Sequence, residues 1–129
     1  MQVRLVDETP GRVEQLWLSI EAPKERLTLR ELIRLRVERE VQRYNACLPE
    51  RYHGLIEVEQ AERILQGDRT APDKVLDARE QVEKACRSFE RHGFFVSVDG
   101  RSIGSLEEEI LIAPETDIRF LKIVPLMGG

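Results

Sequence analysis

Between residues 28 and 46, Leu29, Leu32, Ile33, Val37, Val41 and Tyr44 recur at steps of three and four. This one stripe constrains the chain more than any other feature, because it specifies an amphipathic helix whose apolar face must be covered by something else. Thr28-Leu29-Arg30-Glu31 reads as a capping box and sets the start of that helix. Arg30, Arg34, Glu38 and Arg39 occupy other faces, and with Glu38 and Glu40 among the arginines we read a solvated face, not a phosphate-binding one.

Strand patterns flank that helix in the sequence. Residues 2–7 and 13–20 have strand composition, with Thr9-Pro10-Gly11-Arg12 as the turn of a hairpin that ends at Pro23 and Lys24. Leu16, Leu18 and Ile20 share one face of the second strand, which leaves Trp17 on the other beside Gln15 and Ser19. Two readings of Trp17 follow: it packs beneath a loop or the stretch after the helix, or it belongs to a partner surface. C-terminal to residue 92, Phe94 to Val98, the turn Asp99-Gly100 and Arg101 to Ile103 form a second hairpin. Residues 105–112 read equally as a helical turn or a short strand, and Pro114 to Asp117 turns the chain into a last strand, Ile118 to Val124. Its inward face is either Leu121 and Ile123 or Ile118, Phe120 and Val124.

Residues 47–92 separate the two hairpin regions. A short helix is expected at 57–65, where Val58, Ala61, Ile64 and Leu65 share a face ahead of Gly67. Another is expected from Asp73 or Val75 to His92, with Val75, Ala78, Val82, Ala85, Cys86 and Phe89 on its stripe, His92 in its last turn and Gly93 ending it.

Composition narrows the function classes. The chain has 129 residues, with 24 acidic against 20 basic side chains, a balance that argues against nucleic-acid binding through general basicity. No apolar run approaches the roughly 20 residues of a membrane span. Cys47, Cys86, His53 and His92 lack metal-ligand spacing, and no nucleophile stands at base spacing, so neither a metal site nor catalysis by the chain itself is expected. Met1 to Asp7 has no signal-peptide pattern, and we expect a cytoplasmic protein with both thiols reduced.

The sequence closes on Pro125-Leu126-Met127-Gly128-Gly129, directly after the last expected strand. Hairpin, capped helix, second hairpin and final strand, in that order, resemble the plan of a ubiquitin-like β-grasp domain. Met1-Gln2-Val3-Arg4-Leu5-Val6 resembles the first strand of ubiquitin. Val96-Ser97-Val98-Asp99-Gly100-Arg101-Ser102-Ile103, then Glu115-Thr116-Asp117-Ile118 and the Gly-Gly end, are similar to the C-terminal half of the bacterial sulfur carriers for thiamin and molybdopterin synthesis. The resemblance covers about residues 1–46 and 93–129. It implies an α+β fold, a mixed sheet packed on a helix, in one domain with a helical insertion at about 47–92 and a flexible tail at 125–129.

The insertion exceeds what a minimal sulfur carrier has, so the closer resemblance is to the larger ubiquitin-like modifiers that bacteria encode beside an activating enzyme, a conjugating enzyme and a JAB-type peptidase. That resemblance implies that the protein is a substrate and not an enzyme. Gly129 would supply a carboxylate for adenylation and Gly128 the clearance, while Pro125, Leu126 and Met127 would dock on the processing enzymes. It would bind no cofactor itself, with ATP used by the adenylating enzyme, and would end in an isopeptide bond to an unknown target protein. With only Lys24, Lys74, Lys84 and Lys122 as lysines, chain formation through amines has few sites. Two alternatives are a sulfur carrier ending in a thiocarboxylate and a non-conjugated β-grasp scaffold such as those of phage tails. On the partner-surface reading, Trp17 and Ile123 would contribute to enzyme recognition.

Overall fold

Strand pairing, more than any local feature, sets how the elements meet. The structure is a computed structural model that describes residues 1–11, 16–47 and 76–122. In chain order its elements are β1 (Gln2–Glu8), β2 (Leu16–Glu21), β3 (Arg26–Thr28), α1 (Leu29–Cys47), α2 (Ala78–Glu90), β4 (Phe94–Val98), β5 (Arg101–Ser102), β6 (Glu109–Leu111) and β7 (Ile118–Lys122). Five strands form a mixed sheet in the order β2-β1-β7-β4-β5, and β3 and β6 form a separate antiparallel pair. The fold is α+β. The expected short helix at 57–65 lies outside the described residues.

The last strand enters the middle of the sheet. β7 lies parallel to β1, with Leu5 opposite Ile118, and antiparallel to β4, with Val96 opposite Phe120. Alternation then sorts the side chains: Val3, Leu5, Ile20, Phe94, Val96, Val98, Ile118 and Phe120 are buried on one face. This resolves the register of the last strand in favour of Ile118 and Phe120. The helix stripe meets that face, and Leu29, Leu32, Ile33, Val37, Val41 and Tyr44 are all buried.

The capping box forms as the residue types require. Glu31 N–H donates to Thr28 Oγ1 at 3.1 Å, and Thr28 N–H donates to Glu31 Oε1 at 3.1 Å. That second bond, with Lys24 adding to it, holds the Glu31 carboxyl below the ordinary glutamate range. A carboxylate with a lowered folded pKa contributes stability above its unfolded pKa and loses it as pH falls through the folded value. Thr28→Ala is therefore expected to cost about 1 kcal/mol near neutral pH. Most of that gap should persist at acid pH, because the Thr28 N–H that lowers the Glu31 pKa is backbone and remains in the variant, as read from urea midpoints at neutral and acid pH.

The second helix belongs to the core and is not an appendage. α2 falls within the 47–92 stretch, yet Ala85, Cys86 and Phe89 are buried in the same cluster as α1 and the sheet. Asn45 clasps the start of this helical region, donating from Nδ2 to Leu76 O at 3.2 Å and accepting from Leu76 N–H at Oδ1 at 2.9 Å. Asp77 caps α2 by accepting from Arg79 N–H at 3.1 Å.

The C-terminal end of α2 falls two residues short of the expected one. α2 stops at Glu90, and His92 lies beyond the last turn with φ 63°, in the left-handed position that ordinarily goes to glycine. His92 N–H donates to Phe89 O at 3.0 Å and Gly93 N–H to Ser88 O at 2.8 Å, the two bonds of a Schellman cap. Gly93 serves another need, because a Cβ there would come within 2.2 Å of Ser88 Oγ. A non-glycine residue in this conformation costs about 1–2 kcal/mol, less where a short polar side chain is tolerated.

The β4–β5 connection matches its residues. Asp99 and Gly100 have φ 50° and 83°, as a two-residue hairpin turn requires. Asp99 also reaches the turn before β7, accepting from Asp117 N–H at 2.9 Å, while its own N–H donates to Asp117 O at 2.7 Å. Sequence patterning missed β3, and β6 is the short-strand reading of residues 105–112. They pair Leu27 with Ile110, bury both, and tie the α1 start to the 103–112 segment through Leu29 N–H to Glu108 O at 3.0 Å.

Candidate functional site: the outer sheet face and the exit of β7

The face of the sheet turned away from α1 carries exposed apolar side chains set among polar ones. The pairings Trp17 with Val6, Val6 with Arg119, Arg119 with Ser97 and Ser97 with Ser102 run across all five strands. One row on, Glu8 lies opposite Leu121 and Leu121 opposite Phe95. Trp17 is 62 % exposed and Phe95 is 38 % exposed. The Arg4 guanidinium stands 5.5 Å from the Trp17 ring centroid, which holds the indole in place without covering it.

Arg119 sits between the apolar residues and is fixed by carboxylates. Its Nε donates to Asp117 Oδ1 at 2.9 Å and its Nη1 pairs with Glu8. Both partners raise its pKa, so this face keeps a stationary cation among exposed apolar groups. Such a mixture suits a protein partner, with aromatic anchors supplying area and the arginine supplying orientation.

Because β7 runs parallel to β1, its last residues emerge beside the end of β1. Leu121 is level with Glu8, and Asp7 is paired with Leu16 at the start of β2. β7 therefore ends at the end of the sheet nearest Trp17. Ile123, Pro125, Leu126, Met127, Gly128 and Gly129 lie outside the described residues.

Beneath this exit lies an ionic cluster in the helix–sheet interface. Arg36 of α1 is fully buried and donates through Nη1 and Nη2 to the two oxygens of Asp7 at 2.5 and 2.6 Å. Its Nε donates to Glu40 Oε1 at 2.6 Å, and its guanidinium lies 4.5 Å from the Phe120 ring. Lys122 approaches Asp7 at 3.8 Å. Burial alone would depress the Arg36 pKa, but Glu40 and Asp7 more than offset it and keep the group charged. Glu40 is thus buried and not on a solvated face as its residue type suggested. The cluster ties α1, β1 and the last described residue of β7 together.

Remaining candidates carry less chemistry. Burial pushes the Cys86 thiol above its ordinary pKa, which disfavours the thiolate needed for nucleophilic attack. Among the described residues no three His, Cys, Asp or Glu side chains gather as a metal-ligand set. No helix among them is long and apolar enough to cross a membrane. The residues that sequence reading overlooked are Arg119, Leu121 and Phe95 on the outer face and Asp7, Arg36 and Glu40 beneath it. Comparison with family models, curated proteins and solved structures gives no match to this chain.

Proposed function

We propose that this protein is a ubiquitin-like β-grasp modifier of a bacterial conjugation system, with Gly128-Gly129 as its acyl donor. The observation that carries this reading is the placement of β7: the last strand lies centrally, parallel to β1, in a mixed sheet packed on α1, and it leads directly toward the Gly-Gly pair. The carboxylate that reacts is that of Gly129, whether it ends the chain as written or is exposed by cleavage after it.

A carboxylate does not acylate amines or thiols at neutral pH, so activation must come first. The adenylating enzyme joins the Gly129 carboxylate oxygen to the α-phosphorus of ATP and releases pyrophosphate. An enzyme thiolate then attacks the acyl carbon, AMP leaves, and a thioester forms. A target amine attacks the thioester, the thiol leaves, and an isopeptide bond results. Glycine suits both positions because the absence of Cβ lets the backbone enter a narrow channel at angles other residues avoid. Leu126 and Met127 supply contacts along that channel, and a JAB-type peptidase would reverse the final bond.

The outer face supplies the docking surface in this account. Trp17→Ala should weaken binding to the adenylating enzyme by about 30-fold, the effect of removing an aromatic anchor. The unfolding free energy should change by no more than about 1 kcal/mol, since the ring is exposed. Titration calorimetry paired with urea unfolding checks both numbers. The proposal itself is tested by ATP–pyrophosphate exchange: the enzyme should catalyse it with the full chain and not with a chain lacking Gly128 and Gly129. Exchange that is equal with both would reject the reading.

A further inference from the structure

A second feature stands apart from the tail and does not rest on the reading above. Where β5 ends after two residues, the edge of β4 is left to the 103–107 loop, and a cleft of about 460 Å³ opens between that loop and the end of α2. Its floor is apolar, with Phe89, Ile103 and Leu106 all buried. One wall is a stacked pair of rings, His92 and Phe95, with centroids 5.8 Å apart and planes 17° from parallel.

The histidine is there at a conformational cost. Its position closes the α2 cap in the left-handed region, where glycine would be unstrained. What the histidine adds is a ring laid on the half-exposed Phe95, so the strain is spent on the wall of the cleft and not on the cap.

The rim carries one more negative than positive charge. Arg30 is neutralised by Glu107, with Nε and Nη2 donating to Glu107 Oε1 at 2.9 and 2.7 Å. Glu90 also lines the cleft, where it adds a weaker, longer-range attraction to Arg30 than the hydrogen-bonded Glu107 does. An exposed carboxylate beside flat aromatic faces complements a planar cation, which can stack on the rings and fork onto the carboxylate oxygens. An ammonium group matches the charge but not the flat wall.

We propose that this cleft binds an arginine side chain presented by a partner protein, with the guanidinium stacked on the His92–Phe95 wall and paired with Glu90. A single side chain in an open cleft binds weakly, in roughly the millimolar range, and would act as one anchor within a larger interface.

The test is a two-dimensional amide NMR titration of the full chain with the capped tripeptide acetyl-Gly-Arg-Gly-amide, and with the same peptide carrying citrulline, the neutral isostere. The arginine peptide should give saturable shifts confined to residues 89–95 and 102–107, and the citrulline peptide should bind about fivefold more weakly or less. Glu90→Gln should reduce the arginine peptide to the citrulline level. His92→Gly removes the ring while relieving the backbone, so it should melt no lower than the parent yet lose at least about threefold in affinity. Equal binding of the two peptides, shifts centred elsewhere, or no shifts at about 10 mM peptide would overturn the proposal. None of these outcomes involves the adenylating enzyme or Gly129, so failure here is distinct from failure of the modifier reading.

Discussion

Arg36→Met is expected to cost about 3–5 kcal/mol of unfolding free energy, enough to leave much of the protein unfolded if the parent has the common stability of about 5–15 kcal/mol. The side chain is fully buried, and removing its charge leaves Asp7 and Glu40 as buried carboxylates. Lys122, 3.8 Å from Asp7, is too distant to replace the two short bonds that Arg36 makes. The loss reflects uncompensated charge and not a large worth of the intact pair, and a second variant separates the two. Replacing Asp7, Arg36 and Glu40 together with Leu, Met and Leu removes the charges as a set and should recover most of the stability. Urea unfolding of both variants decides the matter: a triple variant no more stable than the single would mean that the cluster contributes net stability.

Gly129→Val should lower the rate of acyl-adenylate formation by about a hundredfold, equivalent to about 2.7 kcal/mol in the activation barrier. The reason is steric: a β-branched residue cannot follow glycine into a channel shaped for a bare backbone, and its restricted torsions oppose the required approach. Gly128→Val should act similarly, because it thickens the segment one residue back. Neither change touches the described core, so the melting temperature should stay at the parental value. ATP–pyrophosphate exchange measures the rate, and variants within about twofold of the parent would remove the pair from the chemistry.

What could be read from the sequence follows the range of the interactions involved. The α1 stripe and its capping box were legible because both depend on spacing within one or two turns. Asp99-Gly100 was legible for the same reason, since the turn selects its residues directly. β3 was not, nor was its pairing with β6: each has three residues, and the pairing joins partners about 80 positions apart along the chain. Residues 105–112 looked ambiguous because they contain both readings, a turn at 106–107 and a strand at 109–111. The register of β7 was obscured by Lys122, whose charge next to Asp7 breaks the alternation of its inward row.

The ionic cluster had left a trace. Asp7 continues the inward row of Val3 and Leu5, and Arg36 falls four residues after Leu32 on the buried side of the helix, with Glu40 four residues further. Residue type alone had placed Glu40 in solvent, whereas three charges at inward positions of two neighbouring elements signal mutual neutralisation. Trp17 stands out in the sequence as the odd residue on its strand face, and it is 62 % exposed. Phe95, Leu121 and Arg119 could not be grouped with it beforehand, because their adjacency depends on β7 entering between β1 and β4.

The most direct test of the central claim is the intact mass of the chain after incubation with ATP and the adenylating enzyme encoded nearest to it, with and without Gly128 and Gly129. A covalent enzyme adduct, released by added thiol, is expected for the chain that retains the pair and an unchanged mass for the chain that lacks it. An unchanged mass for both, with an enzyme shown to be active, would contradict that claim.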